Sequence, residues 1–255
     1  MATLWITALA KDQARVQLVS QHLKRYGLDV AGHFWTDDLE KFAWFEACEE
    51  MIKQRATAWL IVSSEAEIAT ASIRYGLSAL ALVVGGRHGA DFPIALMGTP
   101  GAAALPTPLA GALQITEATP SWQAKLVALA NRQRKPSAAP YRINLYANTQ
   151  FGQWFEVGPA TGSWAGAMFG VQGGGVIDFH AVGPKGVLPE KTVLNFAQKD
   201  MKLALGDKEY VAWAVQNEIG ADQSYYVRVK GAPGSILFSP LAQGDDAEAF
   251  VLALT

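Results

Sequence analysis

Residues able to do chemistry gather in the first half of this chain, directly behind its short apolar runs. Lys11 and Asp12 follow TLWITAL; Trp35, Asp37 and Asp38 follow LDVAGHF; Ser63, Ser64, Glu65 and Glu67 follow ATAWLIV. An acidic pair such as Asp37 and Asp38 can accept hydrogen bonds from ribose hydroxyls. Equally, either can cap a following helix, as Ser63 and Ser64 can. Glu65 and Glu67 stand on the same strand-end loop and can point into the same cleft. Further along, Asp178 and His180 are spaced to share one strand face as an acid–base pair.

Other chemistries lack their patterns. His22, His33, His88 and His180 have no metal-ligand spacing, and no paired cysteines accompany them, so no metal is expected. No G-x-S-x-G elbow and no phosphate loop is present. The run Gly85-Gly86-Arg87-His88-Gly89 precedes an apolar segment instead of opening a helix, and is expected to be a connection. Cys48 sits in the acidic stretch FEACEEMI, which disfavours a thiolate.

These residues need a scaffold, and the composition bounds it. The 255 residues are 50% hydrophobic and 17% charged, with a formal charge of −2. That excludes a disordered chain and leaves no electrostatic footprint for nucleic acid or an acidic membrane. One cysteine allows no intrachain disulfide, in keeping with a cytoplasmic protein. The opening apolar run and LSALALVVGG (77–86) are both too short to span a bilayer.

Over residues 1–130, apolar runs alternate with amphipathic stretches. Strands are expected at 3–9, 28–35, 56–64, 92–98 and 111–116, and helices over 11–27, from Asp37 or Asp38 to Arg55, over 65–80, and from Ser121. In the second helix Phe42, Phe45, Cys48 and Ile52 share a face. The alternation predicts an α/β domain with a doubly wound, mostly parallel five-stranded, flavodoxin-like sheet, whose ligand edge lies outside the strand carboxyl ends. Those ends are Ala8–Asp12, Trp35–Asp38, Ser63–Glu67 and Gly98–Gly101. The long loop MGTPGAAALPTP at this edge suits a lid, a partner surface or a spacer.

Residues 131–140, NRQRKPSAAP with Arg132, Arg134 and Lys135, read as a solvated linker. Residues 141–255 carry short β-rich runs, among them INLYA, QWFEVG, TVLNFAQ and SYYVRVKG, broken by turn residues. They predict an antiparallel β-sandwich or barrel. Gly206-Asp207 is a hairpin signal between KLAL and YVAWAV. The aromatics Trp154, Phe155, Trp164, Phe169, Phe179, Tyr210, Trp213, Tyr225 and Tyr226 suit a core, with a stacking platform for sugars or bases as the alternative.

Residues 3–116 resemble the TIR domain (Toll/interleukin-1 receptor-like). The likeness rests on LWITAL followed by AKDQARVQLVSQHLKRYGLDV, on Trp44 in WFEACEEMIKQR ahead of WLIVSS, and on SIRYGLSALAL before FPIAL. The resemblance implies an NAD-cleaving glutamate in the third helix of active members, four residues after a tryptophan. Here Ser72 takes the tryptophan position and Gly76 the glutamate position. The implied protein is therefore non-enzymatic: a signalling or interaction module that assembles with itself or a protein partner, without cofactor, beside a β-domain that recognises or scaffolds. Two alternatives stand. One is an NAD or nucleotide glycohydrolase using Glu65 or Glu67; the other is carbohydrate or ligand binding through the β-domain. A phosphate-receiver role is disfavoured, because the third strand ends in VSSE and offers no aspartate.

Overall fold

The computed structural model describes residues 1–98, 104–133, 139–241 and 248–255. Arg134, Lys135 and residues 99–103 of the long loop lie outside the described residues. The chain divides into two units, Met1–Ser137 and Ala138–Thr255.

In the first unit the apolar runs become β1 (Thr3–Ala8), β2 (Asp29–Phe34), β3 (Ala58–Val62), β4 (Ile94–Met97) and β5 (Leu113–Ile115). They pair in parallel in the order β2-β1-β3-β4-β5. That is the flavodoxin-like order. Alternate side chains of each strand face opposite sides. Leu4, Ile6, Leu60, Val62 and Met97 meet Val19 and Leu23 of α1 (Gln13–Arg25) and Leu126 of α5 (Trp122–Ala130) on one side. Trp5, Thr7, Trp59 and Ile61 face the other, where Trp59 Nε1 donates to Thr7 Oγ1 at 2.8 Å in the buried interior. No helix among the described residues is long and apolar enough to cross a membrane.

Several helices differ from their expected form. α2 spans Ala43–Lys53, starting later than expected because Phe42 is left-handed (φ 52). The buried residues of α2 are Trp44, Ala47, Cys48 and Met51, so of the expected face only Cys48 is buried, while Phe42, Phe45 and Ile52 are half-buried. The helix expected over 65–80 is two helices, α3 (Glu65–Ala69) and α4 (Ala71–His88), parted by extended Thr70. α4 continues through Gly85-Gly86-Arg87-His88, where a connection was expected. Arg87 pairs with Glu49 of α2 and lies 5.4 Å from the Phe45 ring, which fixes that last turn. Gly89, at φ +101, then ends the helix. Ser121 precedes α5 but is left-handed and makes no side-chain cap.

The second unit is antiparallel. Its strands are β6 (Tyr141–Asn148), β7 (Gly152–Pro159), β8 (Ser163–Trp164), β9 (Ala167–Gln172), β10 (Gly175–Pro184), β11 (Gln198–Leu205), β12 (Lys208–Val215), β13 (Ile219–Gly220), β14 (Gln223–Gly231), β15 (Ser235–Pro240) and β16 (Phe250–Ala253). A four-stranded sheet runs β10-β14-β7-β6, a five-stranded one β11-β12-β9-β15-β16, and β13 pairs with β8. The two larger sheets meet through Phe155 against Phe169 at 5.3 Å and Tyr141 against Phe238 at 4.9 Å. Gly206-Asp207 forms the two-residue turn between β11 and β12, with Gly206 at φ +61. TVLNFAQ is not a strand up to Ala197; residues 185–197 are a connection in which Val193 and Phe196 stand exposed and Phe196 is left-handed (φ 47).

Candidate functional site

The carboxyl edge of the parallel sheet is where this fold places ligands. Asp12, Asp37, Asp38, Ser64 and Glu67 of this edge bond to the protein itself. Asp12 caps α1, accepting from the Arg15 backbone N–H at 3.0 Å. Ser64 and Glu67 form a reciprocal capping box at the start of α3, with Glu67 accepting from the Ser64 N–H at 2.8 Å. Asp37 accepts from Ser72 Oγ at 2.6 Å, and Asp38 accepts from the Lys41 backbone N–H at 3.0 Å and pairs with its ammonium. Those bonds hold the Asp38 carboxyl below its ordinary range, chiefly through the Lys41 N–H. Ser63 is buried, while Lys11 and Glu65 are exposed, Glu65 in the first turn of α3.

Two members of this edge were not singled out from sequence. Arg15 Nε donates to Glu117 at 2.6 Å, and Nη1 lies 3.4 Å from the Ser63 carbonyl. Arg15 and Glu117 are 102 residues apart, so only the closure of β5 beside β4 brings them together. The helical periodicity of α1 placed Arg15 on its first turn without indicating a partner.

The decisive contact lies beneath the edge. Trp35, at the end of β2, is 5% exposed and lies over Gly76 of α4. A Cβ on Gly76 would come 2.6 Å from Trp35 Cζ2. Real side chains do not approach so closely, so the indole occupies the room a residue-76 side chain would need. Trp35 Nε1 itself is buried without a partner. Alongside it, the His33 ring stands 6.4 Å from the Trp35 ring, and His33 Nδ1 accepts from Trp5 Nε1 at 3.1 Å. Burial pushes the His33 imidazole down to about 4, so it is neutral at pH 7.

Elsewhere, burial pushes the Cys48 thiol up to about 11. Asp178 and His180 do not share a face. A bulge between Ile177 and Phe179 turns Asp178 outward to Arg228 (2.7 Å) and Lys230 (2.9 Å), while His180 enters the core. There His180 Nδ1 lies 2.8 Å from the Tyr225 hydroxyl and its ring meets Trp213 edge-on. Of the nine aromatics named above, eight are buried and only Phe179 is exposed. Among the described residues no His, Cys, Asp or Glu group is arranged to hold a metal ion.

No protein-family model matches the chain, and no curated protein matches it. Among solved structures the chain is similar to a response regulator protein from Burkholderia multivorans. That similarity is 20% in identity, covers 55% of this chain and 100% of the other, and has a TM-score of 0.33. The strand order, and not this likeness, identifies the fold of the first unit as flavodoxin-like.

Proposed function

We propose that the chain is a non-catalytic signalling or interaction protein. Its first unit is TIR-like and associates with a second copy or a protein partner; its β unit recognises or scaffolds. The observation that carries this reading is the Trp35 indole seated on Gly76. In a TIR-like alignment residue 76 would bear the carboxylate that meets the ribose. Here that residue has no side chain, and the space beside it is filled. Glu67 is spent on the capping box, and Asp12, Asp37 and Asp38 are tied to their own neighbours.

Incubating the purified protein with NAD and separating the products by chromatography tests the catalytic half. The expected result is no loss of NAD beyond the buffer control. Turnover abolished by Glu65→Gln would show that the exposed glutamate acts, and would overturn the reading. Sedimentation velocity over a hundredfold range of concentration tests the assembly half. The sedimentation coefficient is expected to rise with concentration.

A further inference from the structure

The five-stranded sheet of the second unit ends at β11, which pairs with β12 and with no other strand among the described residues. Gly206-Asp207 closes that hairpin with two residues, so Leu205 and Lys208 exchange both main-chain bonds and the bonding alternates from there. Met201, Leu203 and Leu205 therefore turn their N–H and C=O groups toward β12. Lys202 and Ala204 turn theirs outward, and among the described residues nothing bonds to these outward groups. Upstream, left-handed Asp200 (φ 55) and the register shift between Gln198 and Met201 end the regular run. The open edge is thus residues 201–205.

The side chains of this run sort by face. Met201 and Leu203 stand beside Ala212 and Tyr210 and are half-buried; Leu205, on the same face, is 47% exposed. Lys202 and Ala204 stand on the other face, where Lys202 pairs with exposed Glu209 at 3.5 Å. Such an edge can take a further strand, and the strand that fits it is its own copy. In antiparallel pairing about a two-fold axis at Leu203, Lys202 of each copy meets Ala204 of the other, so the outward groups bond one another. Leu203 meets Leu203, and Met201 meets Leu205 on either side, joining apolar side chains that one chain leaves partly in water. Ala204 is small, and directly behind it on β12 stands Glu209. The Lys202 ammonium of the second copy starts two strand spacings away, about 10 Å, a span that lysine and glutamate side chains together cover. Neighbouring registers fit less well. Centring on Lys202 sets two ammonium groups face to face, centring on Ala204 pairs only residues 203–205, and a slip by one residue opposes outward groups with groups already bonded to β12.

We propose that β11 is a self-association edge, to which a second copy of this chain adds its own β11, antiparallel and centred on Leu203. The five-stranded sheets of the two copies then run on as one. Main-chain bonds hold the strands together, and the Met201, Leu203 and Leu205 seam with the Lys202 to Glu209 pairs selects the register. The contact is short, so the dimer forms as concentration rises. It lies wholly in the second unit, and it is separable from association through the first.

Cysteine substitutions read the register. Leu203 is its own partner at a non-hydrogen-bonded position, where Cα atoms stand about 4.5 Å apart, within disulfide range. Oxidised with diamide, Leu203→Cys is expected to give a cross-linked dimer. Met201→Cys and Leu205→Cys are each expected to stay uncross-linked alone and to cross-link when mixed. The wild type, whose one cysteine is buried, is the blank. In the wild type, the Lys202 and Ala204 amides are expected to exchange about tenfold more slowly in concentrated than in dilute protein. Exchange that ignores concentration overturns the proposal, and it needs no substitution, so it decides the matter even where Leu203→Cys does not fold. A folded Leu203→Cys that does not cross-link also overturns it, as does cross-linking of Met201→Cys alone, which requires another register. Should the sedimentation coefficient rise while these signals are missing, assembly uses the first unit and this edge is not its site.

Discussion

Trp35 and Gly76 are fitted to one another: the indole fills the space from which the glycine withholds a side chain. Gly76→Ala therefore forces the indole or the helix to shift, at a cost of about 1–3 kcal/mol. Trp35→Ala opens a cavity, at a cost of roughly 3–5 kcal/mol. The double substitution should cost less than the sum of the two, since the added methyl enters the vacated space. Chemical denaturation of the four forms of this cycle measures the coupling; strictly additive losses would contradict the packing described.

Acidification should weaken the second unit through His180. Its imidazole is pushed down to about 4 by burial first and by the Lys199 charge second, against 6.5 when unfolded. Tyr225 and Trp213 face it, and Lys199 lies over Trp213; Nε2 has no acceptor. Below pH 6.5 the unfolded chain takes up a proton that the folded core refuses until about pH 4. Stability is thus full above pH 6.5 and falls through that window, by roughly 3 kcal/mol at most. His180→Gln removes this titration. The difference between wild-type and variant denaturation midpoints at pH 7.5 and pH 5 isolates it from His33.

Cys48 should resist alkylation in the native protein. It is buried in α2, and its thiol is pushed up to about 11. At pH 8 iodoacetamide is expected to label it only after denaturant is added, as read by intact mass. Rapid native labelling would mean that α2 opens readily.

The capping box at α3 predicts a graded pair of effects. Ser64→Ala should cost about 1 kcal/mol, because the Glu67 N–H loses its acceptor. Glu67→Gln should cost little, since glutamine still accepts from the Ser64 N–H. Thermal unfolding of the first unit distinguishes the two. An equal loss for both would point to the Glu67 charge rather than to capping.

The features visible in the sequence are those written in local spacing. The alternation of TLWITAL, LDVAGHFW and ATAWLIVSS with helical stretches implied the wound sheet, and Gly206-Asp207 implied the β11–β12 hairpin of the second unit. The end of α4 was misjudged because glycines were weighed without the Arg87 to Glu49 pair, which joins residues 38 apart. TVLNFAQ has strand composition, yet its first residues bond singly to Val182, Gln216 and Asn217 instead of entering a ladder. Asp178 and His180 were assigned one face because the bulge between Ile177 and Phe179 leaves no mark in residue types. Neither Trp35 over Gly76 nor the Tyr146 and Ser224 hydroxyls that donate to buried Glu156 of β7 could be read, since each contact needs separate strands or helices to be in place first.

Glu156 also has a consequence for how β7 finds its place. Slipping that strand by one residue would carry the carboxylate into the apolar space between the sheets and turn Phe155 and Val157 out to water. Stranded charge of that kind is heavily penalised. The acid thus acts as a built-in proofreader of alignment, rejecting every pairing of β6, β7 and β14 in which the Tyr146 and Ser224 hydroxyls do not both donate to it.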